Sequence, residues 1–187
     1  MLLEKSVMLS VQPEHCINIV KGIKTLELRK TKPRIEPPFT CYVYETKQPV
    51  KVYNGYDYVI SSYGGYVIGE FICDDIDKVE MHNNVLYSTG YIMNIILPQL
   101  CLRKEDVKKY LGKKNLGYIW HISNFKRYAV AKYLWEFNRF LPCEENKQKC
   151  GMNYFNDLDW TCQYCAGEHL LLKAPQSWQY IKNLWSE

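Results

Sequence analysis

The sequence lacks any long hydrophobic run. Nowhere among its 187 residues do about 18 apolar residues follow one another, the length that a membrane-spanning helix needs. The first residues, MLLEKSVMLSV, include an acid and a base, and they show neither a long apolar centre nor a small-residue cleavage site. From these absences we expect a soluble, cytoplasmic protein.

Low-complexity segments and fixed-period repeats are also lacking, which argues against a disordered chain or a solenoid. Hydrophobic residues make up 47% and charged residues 24% of the chain, as is usual for a globular protein. The length suits one domain with an insertion better than two full domains.

A strong excess of charge of one sign is absent as well. The formal net charge is only +4, so any affinity for nucleic acid must come from local clustering. Residues 21–34 carry six basic side chains and a single acid, Glu27. Residues 103–114 also carry six, but Glu105 and Asp106 dilute them, and this second run is typical of a solvated helix face.

The first basic cluster belongs to a strand–helix–strand unit. Residues 7–12 read as a buried strand, and Pro13 opens a helix predicted to reach residue 21, where Gly22 ends it. In the next strand, residues 24–30, Thr25, Glu27 and Arg29 share one face. Further strands are predicted at 40–47, 67–76, 77–82 and 115–128, a helix at 103–112, and a hairpin or exposed loop at 53–66.

The order of several short segments points to a family. SVQP, GIKTLELRK, VIGEF, EDVKKYLG, GYIWHISN and APQSWQYI follow one another along the chain, and this order resembles that of ASCH domain proteins. The most specific element is the pattern G-x-K-x-x-E-x-R, formed by Gly22, Lys24, Glu27 and Arg29. The resemblance covers most of residues 6–130 and resumes near residue 173. It implies an α+β fold: a PUA-like small mixed β-barrel with short helices.

The resemblance also implies a binding cleft, because PUA-like proteins bind RNA or modified nucleotides. In that cleft a carboxylate would accept hydrogen bonds from an exocyclic amine, and a guanidinium would hold a phosphate or a base edge. An aromatic ring beside polar groups would stack on a base. The candidate ligand-binding residues are Ser10, Lys24, Glu27, Arg29, Lys30, Trp120, His121 and Ser123.

Each of these residues also has a plain structural interpretation. Glu27 and Arg29 could form an ordinary ion pair on an exposed strand, which stabilises little. Trp120 could lie in the core, and His121 could be a hydrogen-bonded structural residue.

Two other functions stay open. Some ASCH-like proteins are amidohydrolases that act on N4-acylated cytidine through a lysine, a threonine two positions before the arginine, and a downstream glutamate. Lys24 matches that lysine, whereas Glu27 occupies the threonine position. Other ASCH-like proteins resemble small ribonucleases, and Lys24 and Glu27 would be the catalytic pair of either enzyme. The third alternative is a protein-interaction module.

The sequence has eight cysteines, and they fall into two groups. Isolated cysteines in apolar segments are predicted to be small buried hydrophobes; they are Cys16, Cys41, Cys73 and Cys101. The other four, Cys143, Cys150, Cys162 and Cys165, lie in a polar segment that ends in C-x2-C.

Four thiolates in such a segment suit a tetrahedral structural zinc, which would replace a missing core. Free or redox-active thiols are the alternative, and His169 could replace Cys165 or Cys143 as a ligand. We therefore predict a Cys-rich zinc-binding insertion at 131–169 within a barrel formed by residues 1–130 and 170–187.

Overall fold

The computed structural model describes residues 5–53, 56, 58–82, 85–88, 91–138 and 170–182. Within them the fold is dominated by strands, with three short α-helices. The elements in chain order are β1 (Lys5–Val11), α1 (Pro13–Val20), β2 (Leu26–Arg29), β3 (Phe39–Glu45), β4 (Gln48–Tyr53), β5 (Tyr58–Tyr63), β6 (Val67–Cys73), β7 (Ile76–His82), β8 (Val85–Ser88), β9 (Tyr91–Ile92), α2 (Met93–Leu100), α3 (Lys104–Leu111), β10 (Leu116–His121), β11 (Ser123–Lys132) and β12 (Trp178–Lys182).

The first sheet has the strand order β11-β6-β3-β1-β12. Strand β1 lies between a parallel neighbour, β3, and an antiparallel neighbour, β12. Apart from Lys5, every residue of β1 is buried, because this strand is covered on both of its faces. That double cover explains why its sequence reads as a nearly continuous apolar run.

The second sheet has the order β2-β10-β7-β8-β9. Leu26 and Leu28 of β2 pack on the same face as Ile119 of β10 and contact Leu100 of α2 and Leu111 of α3 within one apolar cluster. The opposite face of β10 contributes Trp120 to a different cluster, which is shared with β1, β3 and α1. The second sheet therefore separates two cores.

Two strand pairs run from one sheet into the other. Only two residues separate β6 of the first sheet from β7 of the second, and only Ile122 separates β10 from β11. Strands that switch sheets in this way form the corners of barrel-like sandwiches. The mixed, sheet-dominated fold with short helices is confirmed. In the described residues, however, the pairing gives two five-stranded sheets and a separate two-stranded sheet of β4 and β5 rather than the closed barrel of the prediction.

Helix α1 begins and ends where the sequence predicts. Pro13 occupies its first turn, and Glu14 lies at the positive end of the helix dipole. Gly22 follows with φ of 69°, a backbone conformation that glycine adopts without strain. The resulting turn lets the amides of Ile23 and Lys24 donate to Asn18 O, and it directs the chain into β2.

The isolated cysteines largely behave as expected. Cys16, Cys41 and Cys73 are buried, whereas Cys101 is only half-buried. Burial raises the pKa of the Cys16 thiol well above its ordinary value. In these three positions the thiol therefore serves as a small core group.

The predicted zinc ligands, Cys143, Cys150, Cys162 and Cys165, and His169 lie outside the described residues. The chain on either side of that segment is held together. Asn138 and Leu170 form an antiparallel bridge, and Leu171 N donates to Phe137 O at 2.8 Å. Phe137 and Leu171 are both fully buried against the first sheet.

No helix among the described residues is long and apolar enough to cross a membrane.

Candidate functional site

Lys24, Glu27 and Arg29 form a buried ionic cluster. The Lys24 Nζ atom lies 3.1 Å from Glu27 Oε2, and Arg29 Nη2 lies 3.0 Å from Glu27 Oε1. Their exposed fractions are only 2%, 8% and 7%. The interpretation as an exposed surface ion pair is therefore wrong.

The alternation of side chains along β2 explains why Glu27 and Arg29 are buried. Glu27 is paired with Trp120 and Arg29 with Tyr118 in the antiparallel ladder between β2 and β10, so their side chains share the face that carries the Trp120 core. Leu28 points the other way, towards α2 and α3. The same alternation that buries the leucines on one side thus brings the charged side chains between the two sheets.

Arg29 reaches into the first sheet. Its Nη2 atom donates to Ser10 O at 2.8 Å, and Nη1 donates to Ser177 O at 3.2 Å. Ser10 Oγ in turn donates to Pro175 O at 2.6 Å. One guanidinium therefore joins β2 to β1 and to the segment before β12. The motifs SVQP, GIKTLELRK and APQSWQYI meet at this guanidinium.

Lys24 joins the cluster to α2. Its ammonium donates to Leu100 O at 2.6 Å, at the carboxyl end of the helix. A cation is favoured there, since the last carbonyl groups of a helix lack internal partners.

The electrostatic balance of the ionic cluster favours a charged Glu27. Burial by itself raises the pKa of this carboxyl group, but the charges of Lys24 and Arg29 outweigh burial, and the pKa is lowered. With Glu27 ionised, the three side chains carry a net formal charge of +1. One buried positive charge thus has no carboxylate of its own within the cluster.

His15 of α1 borders the ionic cluster. Burial lowers the pKa of its imidazole, and the charge of Lys24 lowers it further. Its Nδ1 atom is buried without a hydrogen-bond partner among the described residues, and so are Arg29 Nε and Trp120 Nε1. His15 belongs to none of the sequence motifs, and its only sequence signal is its place in the helix before Gly22.

Of the remaining candidates, Trp120 is paired with Glu27 of the ionic cluster, whereas Lys30 points to solvent. Trp120 is fully buried, with Phe39 and Trp178 packed around it at centroid distances of 5.9 and 5.8 Å, so no ring face is open to a base. Lys30 is exposed, and its Nζ atom lies 5.1 Å from the centre of the Tyr110 ring.

His121 and Ser123 also lie apart from the ionic cluster. His121 is opposite Leu26 in the ladder, on the other face of β10 from Trp120, and its Nε2 atom lies 2.8 Å from Asp77 Oδ2. Ser123 Oγ donates to Ile72 O at 3.0 Å. The structure thus brings together Ser10, Lys24, Glu27, Arg29 and Trp120 out of the eight candidates.

The chain matches no family model and no curated protein. Among solved structures it is similar to ASCH from Zymomonas mobilis, with a TM-score of 0.48 and 16% identity over 69% of this chain and 73% of that chain. A tyrosine-to-phenylalanine mutant of that protein gives 0.48 and 15% over 69% and 76%, and a serine-to-alanine mutant gives 0.49 and 16% over 72% and 78%. At these values the likeness says nothing about the activity of this chain.

We predict that Glu27→Gln lowers the free energy of unfolding by about 3–5 kcal/mol, because it leaves two adjacent buried cations without their carboxylate. Asp106→Asn is the matched control. It removes the carboxylate of an exposed pair, in which Arg103 Nε and Asp106 Oδ2 are 3.0 Å apart, and we expect a cost of about 1 kcal/mol or less. Urea unfolding of both variants tests this, and equal costs would contradict a structural role of the ionic cluster.

We also predict that the free energy of unfolding decreases in two stages as the pH is lowered. The pKa of His15 is lowered from 6.5 in the folded state, so below that pH the unfolded state binds the proton more readily than the folded state. The contribution of His15 to stability is therefore fully present above pH 6.5 and is lost as the pH falls below it. Glu27, whose pKa is lowered from 4.5, adds a second loss at more acid pH. Unfolding of His15→Gln across this range should lack the first stage; a curve parallel to that of the unsubstituted protein would refute the assignment.

Among solved structures, the chain is thus similar to an ASCH protein.

Proposed function

We propose that the chain binds a ribonucleotide, within RNA or as a free modified nucleotide, next to the ionic cluster of Lys24, Glu27 and Arg29. The observation that carries this proposal is the excess buried positive charge of that cluster. Burying ions costs free energy that apolar residues of similar size would not cost, so a buried cluster with an uncompensated charge is a candidate ligand site.

The chemistry of the surrounding groups suits a nucleotide. Phosphate oxygens or base carbonyls complement the Lys24 and Arg29 cations, and Glu27 can accept from an exocyclic amine. The buried atoms without partners, His15 Nδ1 and Arg29 Nε, offer further hydrogen bonds to a ligand that reaches the ionic cluster. The order of motifs shared with ASCH domain proteins favours the same class of ligand.

Hydrolysis is less well supported by the geometry. An ammonium that donates to Leu100 O and pairs with Glu27 has no lone pair to attack an acyl carbon or to accept a proton. Binding without chemistry is therefore the function that the ionic cluster supports best.

Lys24→Met tests the binding proposal, because it removes the excess charge while the Glu27–Arg29 pair keeps a balanced charge. We expect its affinity for a short single-stranded RNA to fall roughly 10- to 150-fold, since a hydrogen bond to a charged group contributes roughly 1.5–3 kcal/mol. Fluorescence anisotropy at several salt concentrations measures this, and phosphate contacts predict a steep salt dependence.

Lys113→Met is the matched control, since it makes the same change of net charge on the exposed turn after α3. An equal loss in both variants would mean that general surface charge drives binding, and no binding by the unsubstituted protein would contradict the proposal. Turnover of N4-acetylcytidine that Lys24→Met abolishes would instead favour the amidohydrolase.

We further propose that the insertion binds one structural zinc ion through Cys143, Cys150, Cys162 and Cys165. The C-x2-C spacing and the polar composition of the segment support this. The bridge between Asn138 and Leu170 also supports an insertion, since it brings the two ends of that segment together beside the first sheet.

Elemental analysis of the purified protein should find about one zinc per chain, and Cys162→Ser should lose it. Cys101→Ser, which changes a cysteine outside the segment, should retain the metal. Much less than one equivalent, or retention of zinc by Cys162→Ser, would refute this site.

A further inference from the structure

A second group of metal-ligating side chains lies on the other face of β10, away from the ionic cluster. It consists of Asp75, Asp77 and His121, whose donor atoms all lie within 4.8 Å of one another. Asp75 is in the turn between β6 and β7, Asp77 is in β7, and His121 ends β10. The group therefore sits at the corner where the chain crosses between the sheets.

The backbone fixes this arrangement. His121 N donates to Asp75 O at 3.0 Å, and Asp75 Oδ1 accepts from Ile76 N at 2.7 Å. Ladder pairing of β7 with β10 aligns Asp77 with Ile119, two residues before His121. Backbone pairing thus brings together one residue of β7, one of β10 and one of the connection between β6 and β7.

Two members of the group, Asp77 and His121, line a cavity of about 250 Å³. Polar side chains of Thr25, Asp74 and Gln99 line this cavity together with Asp77 and His121, and isoleucines form much of the rest. The cavity has room for several water molecules or a small oxygen ligand. A metal ion at the edge of the cavity would therefore have access to ligands that the protein does not supply.

The donor spacing fits a divalent ion. Two ligands bound at about 2.1 Å and at right angles are about 3 Å apart, close to the 2.8 Å between His121 Nε2 and Asp77 Oδ2. Two carboxylates balance the charge of a divalent cation and suit Mn²⁺, and the imidazole nitrogen among them suits first-row ions such as Fe²⁺, Ni²⁺ and Zn²⁺.

We propose that Asp75, Asp77 and His121 bind a divalent first-row metal ion whose remaining coordination positions face the cavity. Metal binding would replace the hydrogen bond between His121 Nε2 and Asp77 Oδ2. This site is separate from the nucleotide proposal, since it uses the opposite face of β10 and none of the residues of the ionic cluster.

Titration of the purified full chain with Mn²⁺, followed by electron paramagnetic resonance, tests the site. Mn²⁺ is the appropriate probe because thiolates select softer metals, so the cysteine segment should not compete for it. We expect one tightly bound ion with a resolved coupling to an imidazole nitrogen, and His121→Ala and Asp77→Asn should each weaken binding by at least about tenfold.

Asp106→Asn is the control, because it removes a negative charge elsewhere and should leave Mn²⁺ binding unchanged. No binding, binding without nitrogen coupling, or equal loss in the control would overturn the proposal, and the last two would mean that carboxylates bind the ion non-specifically. The nitrogen coupling in the unsubstituted protein keeps the test decisive even if a variant fails to fold.

Discussion

The carboxylate of Glu27 is the group on which the arrangement of the two sheets depends. It lies between two buried cations, and each cation extends its hydrogen bonds to a different part of the fold: Lys24 to α2, and Arg29 to β1 and Ser177. Without such a carboxylate, the desolvation cost of both buried cations is no longer compensated. One set of ion pairs therefore positions the turn after α1, the polar face of β2 and the segment before β12. The same ion pairs form the candidate ligand site.

Local patterns were enough to predict much of the fold. Pro13 and Gly22 mark the ends of α1 because each has a specific backbone preference, and the alternation in β2 predicts that Glu27 and Arg29 share a face. Other elements escaped prediction for physical reasons. Helix α2 contains Pro98 and follows two very short strands, so its apolar residues read as neither a clean helix nor a strand, and β12 depends on pairing with β1, far away in sequence.

The candidate site was only partly predictable for a related reason. Strand parity shows which side chains share a face, but it does not show whether that face is exposed, so the burial of Lys24, Glu27 and Arg29 needed the second sheet. Parity does separate His121 from Trp120, since they are adjacent in β10. Only the structure brings His121 to Asp77, because that contact depends on the corner between β6 and β7.

A crystal structure of the protein with cytidine monophosphate would test directly whether the excess charge of the ionic cluster receives a nucleotide. We expect the nucleotide beside α1 and β2, with a phosphate or base oxygen within hydrogen-bond distance of Lys24 or Arg29. Nucleotide bound at a distant surface, with the Lys24–Glu27–Arg29 contacts unchanged and no ligand near them, would contradict it.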